Sequence, residues 1–344
     1  MTPMHALLRK GRPALARVFS RGITQPGRAS ASVEDRSESE GAGSMKKILI
    51  SAVAAVVLSA APAFAADMPV KAKKVAVAPA PSIFDIAFGG VVMSDYNFRG
   101  VSQSNRGFSG GAYFEPQLSI GFGTLYAGIA AYGVDWPSTA PAYGFTNPSA
   151  EVDLYGGWRN TFGALSVDLG LIYYYYPKET WNGATDDSDF YELYGKFGYA
   201  ITPDLSIGAN LFWTPDLLHY SKTFTATGGQ KAGATYGSLT AKWVLPWTTN
   251  GIGAYVSGEA GHWWIKDTGF VAAGFINPSY TYYNAGLAFT YKALTLDLRY
   301  HGTDQSTQKC NAFLAVAAGN SSSNWCNDTF VVSLKFDTML SALK

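Results

Sequence analysis

The chain has 344 residues, a formal net charge of +1, 37 glycines, 15% aromatic residues and only 15% charged residues, against roughly 25% charged in soluble domains. Scarce charge with abundant glycine and aromatics suits a β-rich protein that faces something other than water. A mean hydropathy of +0.02, with no long apolar run after residue 65, excludes a helical membrane protein.

Residues 1–44 ("LLRKGRPALARVFSRG" among them) are rich in Arg, Ser and Ala. They could pass for an organellar presequence, but are read as an over-extended N-terminus outside the fold. Residues 45–65 have the form of a secretory signal peptide: Met45, Lys46 and Lys47 open it, Ile48 to Ala61 are apolar, and Ala63-Phe64-Ala65 is a small-residue site, with cleavage between Ala65 and Ala66. The apolar run is too short to span a bilayer. Residues 66–82 carry Pro69, Pro79 and Pro81 without hydrophobic period and read as a semi-rigid periplasmic tether. Residues 83–344 form the remaining domain.

From residue 83 the chain alternates with a period of two. In "LTLDLRYH", Leu294, Leu296, Leu298 and Tyr300 oppose Thr295, Asp297, Arg299 and His301. "EVDLYGGWR", "FYELYGKFGY" and "TFVVSLKFD" repeat the pattern. About twelve such strands begin near residues 83, 110, 124, 150, 164, 189, 204, 233, 252, 280, 294 and 328. Short links such as "GFGTL", "TFGAL" and "YKALT" alternate with long polar ones around 99–109, 136–149, 177–188, 214–232, 264–279 and 302–327. That is an up-and-down meander with one smooth and one elaborated rim.

A soluble barrel would put Leu, Val and Phe inside, but twelve strands enclose a lumen too wide for them to fill. The fold class expected is therefore all-β: a transmembrane antiparallel up-and-down β-barrel, apolar outward and charged inward. Tyrosines of "YYYYP" (173–177) and Trp136, Trp181, Trp213, Trp243, Trp247, Trp263 and Trp264 would form the interfacial girdles.

Within "SDYNFRGVSQSN", Ser94, Tyr96, Phe98, Arg99, Gly100, Ser102 and Gln103 fit the form S-x-Y-x-F-R-G-x-S-Q. With the later segments "EVDLYGGWR", "DFYELYGKFGY" and "LDLRYHGTD", the chain resembles an uncharacterised proteobacterial outer-membrane protein family, the Gcw_chp type, over most of residues 83 to 337. "ADMPVKAKK" is similar to the tether of alphaproteobacterial porins. The resemblance implies location and architecture, the bacterial outer membrane, and no assigned activity. Many such barrels end on an aromatic residue, whereas this chain continues eight residues past Phe336 to Lys344.

"SDYNFRG" reads as the end of the first strand and "VSQSNRG" as its outward loop, with Tyr96 and Phe98 toward lipid and Asp95, Asn97 and Arg99 toward the lumen. Arg99 is expected to close an ion pair with a neighbouring strand's carboxylate, a ligand contact being the alternative. Alternation places ten acids inward, Asp85, Asp95, Glu115, Glu151, Asp153, Asp168, Glu192, Glu259, Asp297 and Asp337, against six bases, Arg99, Arg159, Lys196, Lys242, Arg299 and Lys335. From Ala66 onward the chain holds 17 basic and 21 acidic residues, an acidic surplus of the same sign.

Catalytic, metal and cofactor motifs do not emerge: His5, His219, His262 and His301 lie in separate segments without ligand spacing. Only His301 could meet a serine of a neighbouring strand, a remote hydrolase reading. Cys310 and Cys326, the only cysteines, should be bridged in an oxidising compartment. Three functions follow in order: a passive, porin-like channel for small solutes, weakly cation-preferring; a closed structural or adhesive barrel displaying its loops; an outer-membrane hydrolase. The partners expected are outer-membrane lipid, lipopolysaccharide and small polar solutes, with no nucleic acid.

Overall fold

The computed structural model describes residues 83–136, 148–179, 187–223, 230–267, 279–307, 309–310 and 324–343. The expected segments 1–44, 45–65 and 66–82, and Trp181, lie outside the described residues.

The strands are β1 (Phe84–Met93), β2 (Asn97–Phe98), β3 (Val101–Ser102), β4 (Ser109–Ser119), β5 (Thr124–Gly133), β6 (Ala150–Phe162), β7 (Leu165–Tyr175), β8 (Phe190–Ala200), β9 (Leu205–Thr214), β10 (Ala234–Thr249), β11 (Ile252–Ile265), β12 (Tyr280–Tyr291), β13 (Leu294–Thr303) and β14 (Thr329–Met339). Among the described residues twelve of them, all but β2 and β3, close into an antiparallel barrel. Closure comes through β1, which pairs β4 on one side and β14 on the other, Met93 facing Ser109 and Ser333. It leaves no open sheet edge. Strands of ten residues or more are long enough to cross the hydrocarbon core when tilted. In β10 the register shifts between Val244 and Thr248, where Pro246 lacks the N–H a regular ladder needs.

Each strand sends alternate side chains to opposite faces. Outside stand Phe114, Leu154, Leu193, Leu211, Leu239, Leu296 and Leu334, all exposed; inside, Glu259, Tyr236, Tyr280 and Tyr282 are 0% exposed. Apolar outward and charged inward is the reverse of a soluble barrel, so the surroundings of the outer face are lipid. The short rim carries tight turns, among them Asn250-Gly251, with φ of 52° and 80°. Both values belong to the type I′ turn that matches strand twist in a two-residue hairpin.

Two expectations are corrected. Trp213, Trp243, Trp247 and Trp264 are exposed, but Trp263 is buried in the lumen and Trp136 packs against the interior aromatic cluster, so these two cannot belong to a lipid-facing girdle. Within "YYYYP", Tyr174 and Tyr176 are likewise buried while Tyr175 is exposed; the period that defines the strand sends alternate tyrosines inward. The second correction concerns the first loop.

Candidate functional site: the lumen

β1 ends at Met93, not at Arg99. The chain then turns into the barrel and forms the short hairpin β2–β3, whose turn residues Arg99 and Gly100 have φ of 48° and 85°. Tyr96 is buried and Phe98 packs on the interior cluster, so neither faces lipid. A side chain at Gly100 would run into Thr303 Cγ2, so the hairpin tip needs glycine for space as well as conformation. The stem is tied by Asp95, which accepts from Ser102 Oγ, from Ser104 Oγ at 3.1 Å and from Arg106 Nη1 at 3.3 Å.

Arg99 is the anchor. Its Nη1 and Nη2 donate to Oε1 and Oε2 of Glu192, each at 2.8 Å, and Tyr174 Oη donates to Oε2 at 3.0 Å. Rings of Phe98, Phe212, Tyr236 and Trp263 lie 4.7, 4.7, 4.3 and 4.5 Å from the guanidinium carbon. Tyr280 Oη caps the Arg99 carbonyl at 3.0 Å. Burial lowers the Arg99 pKa, but the adjoining Glu192 carboxylate and the Tyr174 and Tyr236 hydroxyls together hold the group above the usual arginine range. Tyr96 adds a second attachment, donating to Glu151, which also accepts from Tyr176 Oη at 2.7 Å.

The last long loop clamps the hairpin from its other side. Cys310 and Cys326 are bridged, with Cα atoms 5.9 Å apart. Ser102 N donates to the Trp325 carbonyl at 2.9 Å, Trp325 Nε1 to Asn105 Oδ1 at 2.9 Å, and Arg106 to the carbonyls of Asn324 and Asn327.

Arg99, Glu115, Asp153, Arg159, Asp168 and Lys196, with Tyr126 and Tyr194, line a cavity of about 70 Å³. Arg159 Nη2 donates to Glu115 at 2.9 Å, Tyr126 Oη bonds Asp168, and Lys196 Nζ lies 4.3 Å from the Tyr194 ring centre. The other inward charges stand apart from it. Arg299 bonds Asp297 at 3.0 Å, Asn284 at 2.6 Å and Ser257 at 2.8 Å, with Lys335 4.0 Å from Asp297. Glu259 accepts from Tyr236 Oη at 2.7 Å. Lys242 sits over Tyr255. Asp85 meets Ser341 near the C-terminus, and Asp337 bonds Tyr113.

Among the described residues His301 Nδ1 bonds Tyr282 Oη at 2.9 Å. Sequence reasoning missed the aromatic seal of Tyr96, Phe98, Tyr174, Tyr236 and Trp263. Its signal was present in the alternation, since Trp263 has the phase of Glu259, and Tyr174 that of Asp168.

The sequence profile of a family described as a bacterial protein of unknown function (Gcw_chp) matches residues 77–336. The chain belongs to this family. A lipid-facing β-barrel in a bacterial protein lies in the outer membrane. No curated protein matches the chain. Among solved structures, an outer-membrane channel from Pseudomonas putida F1 is similar at 10% identity over 78% of this chain and 100% of that one, with a TM-score of 0.42. The NanC porin is 10% identical over 73% and 98% of the two chains, at 0.40. LpxR from Salmonella typhimurium is 9% identical over 73% and 99%, at 0.35. These likenesses are of barrel architecture alone.

Proposed function

We propose that the protein is a porin-like channel for small polar solutes that the inserted hairpin β2–β3 holds shut at rest. The supporting observation is the polar cavity of about 70 Å³, bounded in part by Arg99 and Phe98 of a loop segment rather than filled from the barrel wall. A weak cation preference belongs to the same reading. No lysine or arginine bonds Glu151, Asp153 or Glu259 among the described residues, whereas Arg99, Arg159 and Arg299 each bond a carboxylate. Excess carboxylate in a narrow pore attracts cations, an attraction that salt screens.

The test is conductance in planar bilayers of the wild-type barrel and of one with residues 96–103 replaced by glycine and serine. The wild type should open rarely, and the replaced form should conduct continuously. Under a salt gradient its reversal potential should favour cations, and less so after Glu151→Gln with Asp153→Asn. Anion preference would overturn the charge assignment. A silent barrel after hairpin replacement would favour the second reading, a closed structural barrel that displays its loops, which the almost complete burial of Arg99 also suits.

A further inference from the structure

Among the described residues, three charged groups around the lumen cavity keep hydrogen-bonding capacity, in whole or in part, that no neighbour fills. Asp153 is 6% exposed, and its Oδ1 accepts no hydrogen bond. Its neighbour on the same strand face, Glu151, is satisfied by two phenol hydroxyls, so the bare carboxylate of the pair is the one at the cavity. Arg159 gives Nη2 to Glu115 but leaves Nε without an acceptor. Among the described residues Lys196 Nζ makes no ion pair within 4.0 Å; it lies over the ring faces of Tyr194 and Phe212, with Asp168 opposite it on the neighbouring strand. All three residues line the one cavity.

We propose that this cavity binds a small zwitterion of the size of glycine or alanine, with its ammonium on Asp153 and its carboxylate on Lys196 and Arg159. Charge and size both support the assignment. The cavity wall carries three cations, Arg99, Arg159 and Lys196, and three carboxylates, Glu115, Asp153 and Asp168. Arg99 is taken up by Glu192 and Arg159 in part by Glu115, so a lone anion or a lone cation would meet only one of the two signs left, whereas a solute with both charges meets both. The volume of about 70 Å³ corresponds to about five to seven water molecules, which matches the five or six heavy atoms of glycine or alanine and leaves out amino acids with large side chains. Ordered water could donate to Asp153 and accept from Lys196 in the same space; saturable binding of the solute separates the two.

The proposal deepens the channel reading by naming a solute, and its test is binding rather than conductance, so the two fail separately. Refolded protein in detergent is titrated calorimetrically with glycine, alanine, phenylalanine, acetate and methylammonium. Titrations use both the intact barrel and the form with residues 96–103 replaced, so that the hairpin cannot hide the site. Glycine and alanine should bind saturably, and acetate and methylammonium, each offering one charge, should bind at least about ten-fold more weakly. Phenylalanine should not bind. Asp153→Asn and Lys196→Met should each weaken glycine binding about ten-fold or more, while Asp204→Asn, at a short turn, should leave it unchanged. Absence of saturable binding in both forms, equal binding of glycine and its half-molecules, or binding indifferent to Asp153→Asn and Lys196→Met would each overturn the proposal. Binding by a barrel that never conducts would refute the channel and keep the site.

Discussion

Replacing Arg99 with alanine should release the hairpin. The side chain makes two charge-assisted hydrogen bonds of 2.8 Å to Glu192 and is only 2% exposed, so its loss leaves a buried carboxylate that, among the described residues, keeps only the Tyr174 hydroxyl. Removing one member of a buried pair costs about 3–5 kcal/mol. If closure of the hairpin carries that energy, its open population rises from about 10²-fold to about 4 × 10³-fold. Glu192→Gln should cost less, about 1–3 kcal/mol, because the guanidinium keeps its aromatic box and one amide acceptor. The double variant Arg99→Ala with Glu192→Gln should fall short of the sum by about 1–3 kcal/mol, the coupling expected of groups in direct contact. Opening frequency in planar bilayers measures the equilibrium, and tryptic cleavage after Arg106 reports the same open population independently. Additive single effects, or unchanged opening and cleavage in Arg99→Ala, would refute the assignment of Arg99 as the anchor.

Thiol alkylation of unfolded, unreduced protein should find no free cysteine, since Cys310 and Cys326 are bridged; replacing both with serine should cost about 3 kcal/mol and raise opening frequency, because Trp325 and the Asn324 carbonyl hold the hairpin. Glu179, in the loop after β7, has its carboxyl raised to about 7, by burial first, against the Ser188 N–H that favours the charged form. A raised acid contributes its stability below the unfolded value and loses it as pH climbs through the folded one. Glu179→Gln should thus be neutral near pH 4 and stabilise by about 1–2 kcal/mol at pH 8, after discounting for solvent screening, as urea unfolding at the two pH values would show. Mass spectrometry of outer-membrane fractions should find a mature chain beginning at or near Ala66; residues 1–44 attached to the barrel would contradict the export reading.

Strand number and phase were legible because a slip of one residue turns every side chain to the wrong face. Expected starts near 150, 252, 280 and 294 coincide with β6, β11, β12 and β13. The hairpin was not legible, for a reason visible in its own residues. "SDYNFRG" alternates as a strand does, and local sequence cannot separate a strand that continues outward from one that turns in. The Arg99-Gly100 turn was the one local sign, but a two-residue turn of this kind reads equally as a loop.

The period of two, with glycine-rich links and few charges, determined by itself that this chain is a membrane barrel of twelve strands, because that property depends only on near neighbours along the chain. The tertiary structure decided what the lumen contains. Past Met93, where pairing to Ser109 and Ser333 stops, the backbone must find partners elsewhere. It finds them inside, because Glu192 of β8 and Tyr280 of β12, far apart in sequence, converge across a closed lumen on one arginine.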